Sequence, residues 1–75
     1  MNADKTLDAC GLNCPLPILK TKKSLAEMSS GQVLQVLTTD PGSVKDLEAF
    51  CKQTGHTLLS HSDAGGKFEF FVKHK

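Results

Sequence analysis

The sequence predicts an α+β fold, a two-layer α/β sandwich with two helices packed on one face of a mixed four-stranded sheet. Three observations carry that prediction. Two stretches repeat apolar residues at helical spacing, and about four short runs alternate or are rich in strand formers. Their order, β-α-β-α-β-β, matches two amphipathic helices to a sheet that needs one face covered. The 75 residues fit one domain, residues 1–75, with no repeat or linker to divide them.

The first strand is expected over Thr6–Cys10, leading into Gly11-Leu12-Asn13-Cys14-Pro15-Leu16-Pro17. Gly11 is available to bend the backbone, and Pro15 pushes Cys14 towards the extended geometry of a helix cap. The first helix starts at Pro15 or Pro17 and runs to Met28. Ile18, Thr21, Leu25 and Met28 lie on one face, Leu19 widens it, and Lys20, Lys22 and Lys23 lie mostly off it. Ser29-Ser30-Gly31 ends this helix, with Gly31 suited to a left-handed cap. Gln32–Thr39 alternates as the second strand, with Val33 opposite the Leu34-Val36 pair and Leu37 interrupting strict alternation.

Ser43 with Asp46 three residues later reads as a capped helix start after the turn at Asp40-Pro41-Gly42. Val44, Leu47, Phe50, Cys51 and Thr54 then follow helical spacing to Gly55. Thr57-Leu58-Leu59 is a short strand within His56–His61, and Asp63-Ala64-Gly65-Gly66 is a hairpin loop. Lys67–Lys73 alternates Phe68, Phe70 and Val72 against Lys67, Glu69, Phe71 and Lys73, a strand with one buried face.

Composition excludes several classes. With 39% hydrophobic and 23% charged residues the chain is an ordinary globular one. Nine lysines against eight acids, and no arginine, leave a net charge of +1. That balance gives no general case for direct nucleic-acid binding. No apolar run approaches the roughly 20 residues of a membrane span. Met1–Lys5 lacks the features of a signal peptide, so no membrane association is expected and the compartment is expected to be cytoplasmic. Three cysteines, an odd number, argue against a disulfide framework.

A free cysteine near a turn is ordinarily a small buried hydrophobe. For Cys14 the Gly-x-x-Cys-Pro context at a helix start points the other way, to an exposed sulfur favoured as thiolate by the helix dipole. Pro15 and Pro17 delete two N–H donors, so Leu16 and Ile18 are expected to supply those that face the sulfur. The thiol is then only mildly acidic. Cys10 leaves two readings open, a structural strand-end residue or a disulfide partner of Cys14. Cys51 falls in the apolar phase of its helix. Cys10, Cys14 and His56 or His61 lack the spacing of a metal site, so none is expected. His56 and His74 read as solvated, and Asp40 and Asp46 as turn and cap residues.

Leu7-Asp8, Gly11-Leu12, Cys14-Pro15 and Pro17 resemble the L-D-x-x-G-x-x-C-P-x-P signature of the TusA/SirA-like sulfur-carrier family. Gly31, Leu34 and Val36, then Asp40-Pro41 with Asp46, Phe50-Cys51, Gly55-His56, and Phe68, Phe70 and Val72 continue the resemblance through residue 73. One departure is Glu48, where many members carry proline. The resemblance implies a two-layer fold shared with the C-terminal domain of a bacterial translation initiation factor. It implies that Cys14 accepts sulfane sulfur as a persulfide, with Asp8, Gly11, Pro15 and Pro17 as the supporting motif. The implied donor is a cysteine desulfurase or a rhodanese-like protein, and the implied recipient is a downstream acceptor protein in tRNA thiolation, molybdenum-cofactor assembly or sulfur oxidation. No cofactor is expected on this chain, since pyridoxal phosphate belongs to the donor. Lys20, Lys22 and Lys23 are candidate docking residues for an acidic partner or RNA. Two rival readings are a small RNA- or protein-binding regulatory module and a thiol redox sensor using Cys10 and Cys14.

Overall fold

The computed structural model describes residues 3–13 and 16–75. Expectations that fall on Cys14 and Pro15 lie outside the described residues. The elements are β1 (Lys5–Ala9), α1 (Leu16–Ala26), β2 (Val33–Thr38), α2 (Ser43–Thr54), β3 (Thr57–Ala64) and β4 (Lys67–Lys73). The expected order and the α+β class are both observed.

The strands lie in the order β1-β2-β4-β3. β1 and β2 are parallel, joined by the crossover through α1, and β4 is antiparallel to both β2 and β3. Parallel neighbours need such a long connection, whereas β3 and β4 close through two residues. Those two are Gly65 and Gly66, with φ of 62° and 87°. Positive φ at both central positions is what a twisted two-residue hairpin requires, and glycine meets it without a Cβ clash.

Alternation sets which face is covered. Leu34, Val36 and Thr38 of β2 are buried, as are Phe70 and Val72 of β4, while Val33, Gln35, Leu37, Glu69 and Phe71 are half-buried. The helices supply Leu25, Leu47, Phe50 and Cys51 to the same cluster, with Leu7, Ile18, Met28, Val44, Leu58 and Phe68 around it. Each fully buried Leu, Val or Phe contributes roughly 1.5–3 kcal/mol of transfer free energy. Glu48 leaves α2 unbroken, so the departure from proline does not interrupt the helix.

Several local expectations are corrected. α1 ends at Ala26, and Gly31 belongs to a later turn in which its N–H bonds to the His74 carbonyl at 3.0 Å. Ser43 is the first residue of α2, not its cap; Gly42 holds that position, and no side chain caps it. Asp46 therefore does not cap the helix. The Ser43 hydroxyl is turned inward instead, donating to the Asp40 carbonyl at 2.7 Å. Its one proton is used there, so the Thr38 hydroxyl is the donor in the 2.6 Å bond between the two. Both residues are buried, and the chain of hydroxyls satisfies them without water. β3 is also longer than expected, because Asp63 and Ala64 pair with Phe68 and Lys67, with a register shift between Leu58 and Ser60. Leu19 does not widen the buried face of α1: it is 54% exposed. Pro17 and Ser24 are buried there instead.

Candidate functional site

Among the described residues, four hydrogen bonds hold the loop from β1 to α1. The Asp8 carboxylate accepts from the Cys10 N–H at 3.0 Å, forming the local turn that Asp adopts readily. The Ala9 carbonyl accepts from Leu12 N–H at 3.3 Å, and the Asn13 carbonyl accepts from Leu16 N–H at 2.9 Å. The Gly11 N–H donates to the Thr39 hydroxyl at 2.9 Å. That last bond follows from the sheet: parallel pairing sets Ala9 against Thr38, so the residues just past each strand meet.

Gly11 has φ of +81°, and a Cβ built on it meets nothing within 4 Å. Its requirement is conformational, not spatial, since the left-handed region costs other residues roughly 1–2 kcal/mol. Pro17, two residues into the helix region, is fully buried, and its carbonyl accepts from the buried Thr21 hydroxyl at 2.8 Å. Proline suits a first turn, where an N–H has no intrahelical partner. The Leu16 N–H, expected to face the Cys14 sulfur, donates to the Asn13 carbonyl.

α1 begins two positions after Cys14 in the chain, and its exposed face is unusual. Leu16 is 45% exposed and Leu19 54%, and Lys20 and Lys23 beside them are exposed as well. The spacing 16, 19, 20, 23 is one helical stripe, apolar near the loop and cationic beyond it. Lys22 does not join it. It lines a pocket with residues of α2 and the end of the chain, so the three lysines divide between two surfaces.

The other two thiols are held protonated by different causes. Cys10 is half-buried, and its thiol donates to the Asp8 carboxylate, which together with burial raises its pKa. The same two bonds, amide first and thiol second, hold the Asp8 carboxyl below its ordinary value. A thiol kept neutral is a poor nucleophile. Cys51 is buried in the core, and desolvation alone raises its pKa. Among the described residues, no three His, Cys, Asp or Glu side chains are grouped to hold a metal ion.

Sequence reasoning did not find Thr39, whose only signal was its place one residue past a strand parallel to β1. It also placed His56 and His74 in solvent. They are instead in edge-on ring contact at 4.8 Å, with Phe50 stacked on His56 at 5.8 Å. Asp40 is the turn residue expected, its carboxylate accepting from Gly42 N–H at 3.0 Å.

No helix among the described residues is long and apolar enough to cross a membrane. The family described as Sulfurtransferase TusA matches residues 5–74. The chain is 64% identical over 70 residues to sulfur carrier protein TusA of Allochromatium vinosum, covering 93% of this chain and 92% of that one. It is 40% identical over 72 residues to sulfur carrier protein TusA of Pseudomonas entomophila, covering 96% and 90%. The crystal structure of a SirA-like protein from Desulfitobacterium hafniense superposes with a TM-score of 0.81 at 30% identity, covering 92% of this chain and 95% of that one. The ordered set of residues from Leu7 to Val72, the mixed sheet order and the pinned loop before α1 thus have one common account: this chain belongs to the TusA sulfurtransferase family.

Proposed function

We propose that this protein is a cytoplasmic sulfur carrier, a single domain that takes up sulfane sulfur on Cys14 and passes it to an acceptor protein. The Cys14 thiolate attacks the terminal sulfur of a donor persulfide. A new S–S bond forms on Cys14, the donor's S–S bond breaks, and the donor cysteine leaves as thiolate. Transfer onward repeats the step with Cys14 as leaving group. The donor is a cysteine desulfurase or a rhodanese-like protein, and the acceptor belongs to tRNA thiolation, molybdenum-cofactor assembly or sulfur oxidation.

The observation that carries this reading is the Gly11-x-x-Cys14-Pro15-x-Pro17 run in a chain of this family, in a loop tied down on both sides of the cysteine. Exposed Leu16, Leu19, Lys20 and Lys23 supply a docking stripe for an apolar and acidic partner surface beside that loop. Cys10, kept neutral by Asp8, is poorly suited to attack a Cys14 persulfide, which opposes the redox-sensor reading.

The test is loading by a cysteine desulfurase and free cysteine, followed by intact-mass measurement. The wild type and Cys10→Ser are expected to gain one reducible sulfur atom, and Cys14→Ser none. Equal loss in both variants would favour the disulfide reading, and loading of Cys14→Ser would overturn the assignment.

A further inference from the structure

We propose that two copies of this protein associate through β3, edge to edge and antiparallel, about a twofold axis at Ser62. Among the described strands β3 pairs only with β4, so its other side forms one edge of the sheet. Such an edge is a template for a further strand, and proteins ordinarily blunt it with lysine, proline or a covering element. β1, the other edge, carries Lys5, which is ion-paired to Glu27 just past α1. β3 carries no lysine, arginine or proline, and every residue from Leu59 to Ala64 is exposed. Its register against β4 shifts between Leu58 and Ser60, which leaves Ser60–Ala64 as the regular stretch, with Ser62 at its midpoint.

The hairpin fixes which way the backbone of β3 points. Ala64 and Lys67 flank the two-residue turn at Gly65-Gly66, so they exchange main-chain hydrogen bonds, as then do Ser62 with Glu69 and Ser60 with Phe71. The N–H and C=O of His61 and Asp63 therefore point away from β4, towards the edge. Pairing centred on Ser62 sets His61 of each copy opposite Asp63 of the other, and each of these pairs exchanges both main-chain hydrogen bonds.

The side chains fit the same register. Residues directly opposite on paired strands share a face, so His61, opposite buried Phe70, and Asp63, opposite Phe68, lie on the helix side. The His61 ring lies 6.1 Å from that of Phe70. Both His61 and Asp63 remain exposed, so α2 leaves that end of β3 uncovered. A twofold axis perpendicular to the sheet keeps like faces together and brings each imidazole N–H to the Asp63 carboxylate of the other copy. An axis at Asp63 would oppose two carboxylates, and one at His61 would oppose two imidazoles and set Leu59, at the register shift, against Asp63. Charge complementarity thus selects Ser62 and a second copy as the occupant. α1 packs on β1 and β2 at the other side of the sheet, so its exposed stripe stays accessible in the pair.

The experiment is a concentration series of the full chain, from tens of micromolar to about 1 mM, read by amide NMR signals and by sedimentation. The contact is small and the association weak, so the upper end of the series carries the signal. Concentration-dependent shifts are expected at Ser60–Ala64, with slower hydrogen exchange of the His61 and Asp63 N–H groups and a mass rising towards that of a dimer. His61→Asp sets carboxylate against carboxylate at both pairs and is expected to weaken association by roughly threefold or more. Adding Asp63→Lys to that variant restores opposite charges and is expected to recover the loss. Both positions are exposed, so the variants leave the core intact. Spectra independent of concentration, shifts centred on another surface such as the α1 stripe, or no recovery in the double variant would overturn the proposal.

Discussion

The two strand-to-helix connections on this sheet start alike and end differently. Each opens with an aspartate whose carboxylate accepts from the N–H two residues on, Asp8 from Cys10 and Asp40 from Gly42, both at 3.0 Å. The connection into α2 then closes on itself, because the hydroxyls of Thr38 and Ser43 and the Asp40 carbonyl form a buried chain. The connection into α1 is tied at its edges to Thr39 and Asn13 and leads to exposed leucines and lysines. One junction uses its polar groups for stability. The other leads into the exposed stripe of Leu16, Leu19, Lys20 and Lys23. The same local turn serves either end once the residues after it differ.

The largest effect should come from breaking the closed junction. Ser43→Ala leaves the buried Thr38 hydroxyl without its partner and is expected to cost about 1–3 kcal/mol, measured by urea denaturation. Adding Thr38→Val should recover part of that loss, since both partners are then apolar; a further additive loss would contradict the hydrogen-bonded chain. Sulfur loading should be unchanged in both.

Next comes Gly11→Ala in the open junction. The left-handed backbone makes it cost roughly 1–2 kcal/mol, and here loading of Cys14 should slow as well. A normal loading rate would detach the loop's shape from its chemistry. Thr39→Val removes the acceptor of the Gly11 N–H and should cost about 0.5–1.5 kcal/mol, with a smaller effect on loading.

Asp8→Asn is expected to have the smallest effect on stability and a selective one on reactivity. Without the carboxylate, Cys10 ionises more readily, so its alkylation at mildly alkaline pH should rise severalfold in a Cys14→Ser background. Because Asp8 is held below its ordinary value of 3.8, its contribution to stability is present above that pH. It is lost as pH falls through the folded value, and Asp8→Asn should flatten that limb of the acid-denaturation curve.

Most of the architecture was legible because apolar periodicity reports directly on burial. Phe68, Phe70 and Val72 alternated on paper as they do in the sheet, and Leu47, Phe50 and Cys51 kept helical phase. What escaped was decided by contacts that only the fold establishes. Ser43 carries a cap's chemistry, but the nearby Thr38 hydroxyl draws it into the core. Leu19 has a core residue's character and remains exposed because Pro17, Thr21 and Ser24 fill the space beneath α1. β3 reads as a short strand because Ser60, His61, Ser62 and Asp63 lack the residues that mark one, yet pairing with β4 carries it to Ala64. At the candidate site, Gly11 could be picked out from its own type, while Thr39 could not, since its role depends on parallel pairing. The imidazole pair His56 and His74 needed the fold to bring 18 positions together.

The position of β4 has a consequence for how the molecule is assembled. It is the last strand in the described chain, yet it lies between β2 and β3 and is the only strand that β3 pairs with. As the chain is synthesised, β1 and β2 can pair as soon as α1 has formed, but β3 emerges with no neighbour. Closing the sheet waits for Lys67–Lys73, and β2 must then pair with residues 30 to 40 positions later, contacts of the kind that slow folding. Until then β2 lacks its second neighbour and the α2 residues of the core lack Phe70 and Val72, so assembly of the sheet and its core waits for β4.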